Sequence, residues 1–238
     1  MADFQLLWPD GPVFSQAEHF KLGTDCILLS DFVNTSGAKR GIDLGCASGI
    51  IALLLLQKSA KLHMTGLEIN SDAAELAFEN MEANNFKQRS EIICGDIRRV
   101  KELFKTGQFD LVVTNPPYFP LGSGMLSPNK ARAAARGETD CSLEDICAAA
   151  SFLLHTGGSF FMVHKPERLS EAFCTMNRHG IEPKRLRLVC HREGAKPNLV
   201  LIEGRCGGKP GLIIEPSLIL RNKDEEESPE LKRIYHRQ

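Results

Sequence analysis

The stretch that decides the fold is RGIDLGCASG, residues 40–49, which leads into the apolar run IIALLLL, residues 50–56. The residues before Gly45 are typical of a short buried strand, and the apolar run predicts a helix from about Gly49 to Lys58. Glycines at the junction let the backbone turn tightly and let another group approach it closely. The stretch therefore predicts a β-strand, a tight turn and a helix, which is the repeating unit of α/β folds.

The rest of the chain continues this alternation. Further strands are predicted near residues 62–68, 90–95, 109–113, 159–164, 185–191 and 198–203, with helices at about 71–84, 97–104, 142–155 and up to residue 179. Ser71 and Ser142 are expected to cap two of these helices. The pattern predicts an α/β fold with a mostly parallel seven-stranded sheet and helices on both faces. A hairpin-like loop at residues 193–197 makes the last strand antiparallel.

We expect one domain with an extension at each end. An N-terminal lead covers residues 1–35, the main domain covers residues 36–220, and a charged tail covers residues 221–238. The tail holds four consecutive acids at residues 224–227 and is expected to be exposed. The longest apolar run, residues 50–56, is much shorter than the roughly 20 residues of a transmembrane helix, so no membrane segment is expected.

The eight cysteines are scattered and form no C-x-x-C pair. This distribution predicts reduced core thiols in a cytoplasmic protein, with neither a metal site nor disulfide bonds. The net charge of −1 argues against a nucleic-acid partner. Residues 1–120, however, hold 11 basic and 15 acidic side chains, whereas residues 121–210 hold 13 and 9. The basic excess of the second segment leaves a nucleic-acid partner open.

Acidic and glycine residues follow the first three predicted strands. Asp43 and Gly45 lie at the end of the first strand, Glu68 ends the second, and Asp96 follows the third. The carboxyl ends of parallel strands lie at one edge of a sheet, where such folds bind ligands. An acid at Glu68 suits two ribose hydroxyl groups, and Asp96 suits the amino group of a base. The spacing therefore predicts a cofactor pocket at this edge.

Residues 115–118, NPPY, follow the fourth predicted strand at the same edge. The two prolines fix φ and remove two backbone donors, so the turn is rigid and presents acceptors. The Asn115 side-chain oxygen and the Pro116 carbonyl are expected to accept both hydrogens of a planar amine. Holding those hydrogens favours a pyramidal nitrogen with an available lone pair. Tyr118 is expected to stack on the flat face of the acceptor.

Residues 43–49, DLGCASG, resemble motif I of the class I methyltransferases that use S-adenosylmethionine, with Ala47 in place of the usual middle glycine. The acids that end the next two strands match the acidic positions of the following motifs. NPPY resembles the motif of methyltransferases that modify an exocyclic amine of adenine, cytosine or guanine, or a glutamine side-chain amide. With KLGTDCILL, residues 21–29, it resembles a bacterial group of tRNA adenine-N6 methyltransferases that act beside the anticodon of a valine tRNA. The likeness covers roughly residues 12–220.

The resemblance implies a Rossmann-like class I methyltransferase fold, with S-adenosylmethionine as cofactor and a lead that closes over it. The implied catalytic residues are Asn115, Pro116 and Tyr118. The cofactor-binding residues are expected to be Lys21, Thr24, Asp25, Asp43, Gly45, Ala47, Gly49, Glu68, Ile69, Asp96, Ile97 and Asn115. The substrate-binding residues are expected to be Tyr118, Phe119, Lys130, Arg132 and Arg136.

Charge placement also predicts contact with RNA, most simply a tRNA. Lys130, Arg132 and Arg136 follow the NPPY turn with no acid among them, and a second basic group lies at residues 184–196. Phosphate contacts of this kind make binding depend on salt.

Three alternatives stay open at this point. A protein glutamine methyltransferase also carries NPPY, but its family has a helical domain before the fold, which about 35 residues do not supply. An rRNA guanine-N2 enzyme tends to carry a duplicated N-terminal half. A non-catalytic RNA-binding module on the same fold would not require an intact Asn115 or Glu68.

Overall fold

The structure, a computed structural model, describes residues 3–16, 23–116 and 141–237. Its strands are β1 (Gln5–Leu6), β2 (Val13–Phe14), β3 (Arg40–Leu44), β4 (His63–Glu68), β5 (Ser90–Cys94), β6 (Phe109–Thr114), β7 (Leu154–His164), β8 (Ile181–Arg192), β9 (Pro197–Cys206) and β10 (Ile213–Arg221). Its α-helices are α1 (Thr24–Phe32), α2 (Ile50–Lys58), α3 (Ser71–Ala83), α4 (Val100–Leu103), α5 (Leu143–Leu153), α6 (Leu169–Arg178) and α7 (Pro229–Ile234). Short 3-10 turns lie at Lys87–Arg89, Ile97–Arg99 and Pro166–Arg168.

The described strands form one large sheet and one small hairpin. Eight strands follow the order β10-β8-β9-β7-β6-β3-β4-β5, and β1 pairs with β2 separately. β9 is antiparallel to both of its neighbours, and the other pairs of the large sheet are parallel. This confirms the predicted fold class. Leu44 lies beside both Leu67 and Thr114, so β3, β4 and β6 end together at one edge.

The predicted count of seven strands omits β10, which makes eight among the described residues. β10 contains Pro216, and a proline inside an apolar run disfavours a strand because it lacks a backbone donor. The sheet accepts it here because β10 lies at the edge and its register shifts between Glu215 and Leu218.

Apolar side chains fill both faces of the sheet. Phe160 and Phe161 are neighbours on β7, point to opposite faces and are both fully buried, as the two-residue period of a strand requires. Residues of α1, α2 and α7 pack on the Phe161 side, and residues of α5 and α6 pack on the Phe160 side. The prediction of helices on both faces is therefore confirmed.

One predicted helix cap is confirmed and one is wrong. The Ser142 hydroxyl accepts from the Asp145 backbone N–H, and the Asp145 carboxylate accepts from the Ser142 backbone N–H, so α5 begins with a capping box. At α3, however, the cap is Asn70, whose side-chain oxygen accepts from the Ala73 N–H at 2.9 Å. Ser71 is the first helical residue instead, because the equally good cap Asn70 immediately precedes it.

The lead and the tail pack against each other and against the domain. The ring of Trp8 stacks on that of His236 with 4.3 Å between centroids, and Arg233 of α7 donates to both carboxylate oxygens of Asp31 on α1. Leu231 is buried in the core. The tail, expected to be exposed, thus contributes core contacts through α7. In the described part of the chain, no helix has the length and apolar character needed to cross a membrane.

Candidate active site

The turn between β3 and α2 places three residues in the left-handed region: Gly45, Ala47 and Gly49, with φ of 72°, 47° and 81°. The Gly45 N–H donates to the Leu67 carbonyl at 2.8 Å, which attaches the turn to β4. A Cβ on Gly49 would come within 3.1 Å of two side chains of α3, so α2 starts tight against that helix. The N-cap residue of α2 is Gly49, which has no side chain that could cap the helix.

Glu68 holds the turn in this conformation. One carboxylate oxygen accepts from the Ala47 N–H and the other from the Asn70 N–H, each at 2.9 Å. Glu68 is 8% exposed. Since a carboxylate oxygen accepts more than one hydrogen bond, the same group retains capacity for hydroxyl groups of a ligand. The carboxylate therefore joins the turn after β3 to the end of β4.

Asp43 is a fully buried acid directly below the turn. Neither carboxylate oxygen makes a normal hydrogen bond with the described residues. Burial, and then the charge of Glu68, raise the pKa of Asp43 to about 8. The backbone of Ala52 has a smaller effect, which lowers the pKa. The Ser48 hydroxyl on the turn is also buried without a partner among the described residues. Buried polar groups of this kind are normally satisfied, so the pair is a candidate for contact with a polar ligand.

Asp96 follows β5 as predicted but has a protein partner. Its side chain accepts from the Arg98 backbone N–H at 2.8 Å and from the Arg98 guanidinium at 2.5–3.0 Å. These bonds hold the pKa of Asp96 below its usual value.

Ile97 comes next, and its side chain lies 3.9 Å from where a Cβ on Gly45 would stand. Ile69, after β4, is 43% exposed, so two apolar side chains border the same edge.

Asn115 and Pro116 follow β6 at this edge. The hydroxyl of Thr114 donates to the Leu44 carbonyl at 2.8 Å, so the residue before Asn115 is fixed to the end of β3. The Asn115 side-chain amide donates to the sulfur of Cys26 at 3.1 Å. Cys26 belongs to α1, which brings the lead into contact with the candidate catalytic residue.

After residue 16, the described part of the lead resumes at Gly23. This glycine is the N-cap residue of α1 and has no side chain that could cap the helix. Thr24 is exposed and Asp25 half-buried at the start of that helix. The remaining predicted site residues lie outside the described residues: Lys21, Tyr118, Phe119, Lys130, Arg132 and Arg136.

The second predicted basic group is largely neutralised by ion pairs. Arg185 bonds to Glu203 at 2.7 Å, and Arg187 bonds to Glu230 at 2.8 Å. Arg192 pairs with Glu225. The linear count of cations overestimated the free positive charge of this segment because β8 faces acids from neighbouring strands and α7. This group is therefore a poor candidate for phosphate contacts.

Sequence reasoning missed a buried amide that connects the lead to the turn. Asn80 on α3 is fully buried; its oxygen accepts from the Ser15 N–H at 2.8 Å, and its nitrogen donates to the Ser15 and Ser48 carbonyls at 2.9 Å. One helical turn later, Asn84 makes the same paired bonds to the backbone of Val13. The available signal was two asparagines four residues apart on an otherwise apolar helix face.

Known proteins resemble this chain in sequence over most of its length. The family model described as the methyltransferase small domain matches residues 7–179. The chain belongs to this methyltransferase family. A protein of Tolumonas auensis named tRNA1(Val) (adenine(37)-N6)-methyltransferase is 33% identical over 211 residues, which cover 88% of this chain and 86% of the relative. A Bacteroides fragilis protein of the same name is 32% identical over 183 residues, 76% of each chain.

Solved structures show the same fold as this methyltransferase. The crystal structure of a predicted O-methyltransferase from Agrobacterium tumefaciens matches with a TM-score of 0.73 at 21% identity, covering 90% of this chain and 96% of that one. TrmN from Thermus thermophilus matches with a TM-score of 0.54 at 16% identity, covering 76% of this chain and 48% of that one.

The site fits S-adenosylmethionine, the cofactor of this methyltransferase. Asp43 is a buried acid that lacks a partner among the described residues, and the positively charged amino group of the methionine part would favour its ionised form. The left-handed turn with its exposed Gly45 leaves the backbone accessible, and Glu68 offers acceptors suited to hydroxyl groups. The donor and acceptor set therefore matches the charged and the nucleoside ends of this molecule.

Proposed function

We propose that this methyltransferase transfers a methyl group from S-adenosylmethionine to N6 of adenine 37 in a valine tRNA. The names of its relatives and their coverage support this substrate. The structural observation that carries the proposal is the position of Asn115 and Pro116. They follow β6 beside β3, where Thr114 is bonded to Leu44, one residue before the glycine-rich turn.

The Asn-Pro turn acts by positioning. The Asn115 side-chain oxygen and the Pro116 carbonyl accept the two hydrogens of the adenine amine and keep the nitrogen pyramidal, so its lone pair is available for transfer. The amine needs no base before transfer, because it loses its extra proton to water afterwards. An adenine in a loop leaves its stack to reach this turn. We propose that Tyr118 and Phe119 stack on the base.

The cofactor pocket acts by binding and orientation. When bound, S-adenosylmethionine supplies an electrophilic methyl group on its sulfonium. Glu68 accepts from the ribose hydroxyls, Asp43 faces the charged amino group, and Ile69 and Ile97 border the base. Asp96 pairs with Arg98. To hold the base amino group, its carboxylate would either accept from both partners or give up the ion pair. The other proposed cofactor contacts are Lys21, Thr24, Asp25, Gly45, Ala47, Gly49 and Asn115.

The substrate contacts beyond the base are proposed to be phosphate contacts. Three basic residues follow NPPY in the sequence, and their charges suit this role: Lys130, Arg132 and Arg136. The lead closes over the site in this proposal, since α1 contacts Asn115 through Cys26. A tRNA substrate also makes the cytoplasm the proposed location.

The test is methylation of a defined transcript. The protein is incubated with methyl-labelled S-adenosylmethionine and an unmodified tRNA1(Val) transcript, and the nucleosides are identified by mass spectrometry. N6-methyladenosine is expected, and a transcript with guanine in place of adenine 37 should remain unlabelled. Label on guanine N2, on another adenosine, or on glutamine in a protein extract would contradict the proposal.

A further inference from the structure

The contact between Cys26 and Asn115 joins residues 89 positions apart in the chain. Cys26 lies in the first turn of α1, and Asn115 follows β6 in the Asn-Pro turn. The amide nitrogen of Asn115 donates to the Cys26 sulfur at 3.1 Å. A side-chain amide has a donating end and an accepting end, and the amine mechanism uses only the accepting end.

The Cys26 sulfur is a weak acceptor that an amide N–H can use. Burial raises the pKa of its thiol to about 12, so it stays neutral throughout the physiological range. Its own helix is anchored independently. The Ser30 hydroxyl donates to the Cys26 carbonyl at 2.7 Å, and Lys58 donates to three carbonyls at the end of α1. The sulfur is therefore presented to Asn115 from a fixed position.

We propose that Cys26 is a positioning residue that fixes which end of the Asn115 amide faces the substrate amine. Rotating the amide by half a turn about its last side-chain torsion would break this bond, so the bond favours the orientation in which the nitrogen faces Cys26. The reversed orientation would set N–H groups against the hydrogens of the amine, which is repulsive and removes an acceptor. This inference rests on the proposed function, because it assigns the accepting role to Asn115.

The test compares three variants of the full-length protein with the methylation assay. Cys26→Ala removes the acceptor and is expected to lower kcat by about fivefold or more, because a misplaced group loses effective molarity. The KM for tRNA and the Kd for S-adenosylmethionine should stay within about twofold, since neither ligand contacts the sulfur in this proposal. Cys26→Ser retains an acceptor oxygen and is expected to recover most of the lost kcat.

The packing control is Cys147→Ala. Cys147 on α5 is fully buried and its thiol pKa is likewise raised to about 12, but it packs on the Phe160 side of the sheet, away from Asn115. This variant should lower Tm and leave kcat unchanged. A second measurement uses Asn115→Asp, whose two carboxylate oxygens are both acceptors. In single-turnover experiments, adding Cys26→Ala to Asn115→Asp should slow methyl transfer by less than about twofold relative to Asn115→Asp alone.

The outcomes separate the two proposals. A wild-type kcat in Cys26→Ala, or equal losses in the Ala and Ser variants, overturns the positioning role. Equal slowing by Cys26→Ala in the wild-type and Asn115→Asp backgrounds overturns it as well. If the wild-type protein methylates a different amine, the proposed substrate is wrong, and the same variant comparison on that amine decides the role of Cys26.

Discussion

Asn80 donates a hydrogen bond from its side chain to the carbonyl of Ser48 at 2.9 Å. The same amide makes two bonds to the backbone of Ser15, and it is completely buried. Ser48 belongs to the turn of the cofactor pocket, and Ser15 follows β2 in the lead. A single side chain on α3 therefore couples the docking of the lead to the shape of the cofactor pocket.

Replacing Asn80 by alanine should reduce both stability and cofactor affinity. The change leaves buried backbone groups of Ser15 and Ser48 unsatisfied, which costs about 3 kcal/mol in the free energy of unfolding. Freed from its anchor, the turn should bind S-adenosylmethionine at least about tenfold more weakly. Urea denaturation and titration calorimetry measure the two effects.

The matched control is Asn84→Ala, which removes the paired bonds to Val13 and leaves the bond to Ser48 in place. We expect a loss of stability with an almost unchanged Kd for the cofactor. Equal losses of affinity in both variants would show that the effect comes from general loosening of the lead and not from the Asn80–Ser48 bond.

Asp43→Asn should make the unliganded protein more stable at high pH. The folded-state pKa of Asp43 is raised from 3.8 to about 8, so the folded state holds the proton more tightly than the unfolded state does. The stability from this group is fully present below the unfolded pKa and is lost as pH rises through about 8. The asparagine variant does not titrate, so its advantage over wild type should exceed about 1 kcal/mol at about pH 8 and be small at about pH 4.

Urea denaturation of the two proteins across this pH range measures the difference, in which the titration of groups that do not interact with Asp43 cancels. Parallel stability curves for wild type and Asp43→Asn would contradict the raised pKa. The same substitution should weaken binding of S-adenosylmethionine, because it removes the negative charge proposed to face the amino group.

Much of the fold could be predicted because it follows from local patterns. The buried strand before Gly45, the apolar residues of α2 and the capping box at Ser142 each depend on residues close in sequence. β10 and α7 could not be found in this way. Pro216 is acceptable only at the sheet edge, and the acidic run before α7 hides apolar positions that become buried only in the tertiary structure.

The candidate site divides along the same line. That Glu68, Asp43 and Asn115 lie at one edge could be predicted because strand ends in a parallel sheet meet there, so positions in sequence imply positions in space. The partners of these residues were not found. The bonds from Asn115 to Cys26 and from Asn80 to Ser48 depend on how α1 and α3 pack, and the arginines of β8 meet acids that are distant in sequence.

Ala47→Gly should stabilise the protein modestly. Ala47 has φ of 47°, a conformation that costs an L-residue roughly 1–2 kcal/mol and glycine almost nothing. Part of this gain is offset by the greater freedom of glycine in the unfolded chain, so we expect an increase of up to about 1 kcal/mol. Thermal denaturation measures it. As a control, Ala52→Gly inside α2 should destabilise by about 1 kcal/mol, and a similar loss at Ala47 would contradict the strain.

Asn115→Ala should abolish turnover and weaken cofactor binding only slightly. The variant loses the acceptor for an amine hydrogen, and loss of one such polar contact in a transition state lowers kcat by about a hundredfold or more. The Kd for S-adenosylmethionine, measured by calorimetry, should change by less than about tenfold, because the turn after β3 keeps its bonds to Glu68 and Leu67. Turnover at the wild-type rate would remove the amine-holding mechanism.

The double substitution Arg132→Ala and Arg136→Ala should weaken tRNA binding in a salt-dependent manner. Each phosphate contact that is lost reduces the slope of log K against log salt by about 0.7–0.9, so the slope should become shallower by roughly 1.5. Arg192→Ala is the control. Arg192 is exposed but paired with Glu225, so its removal should leave the slope unchanged. Filter-binding titrations at several salt concentrations measure both. If the control changed the slope as much as the double variant, phosphate contact would be spread over β8 and not concentrated in the sequence after NPPY.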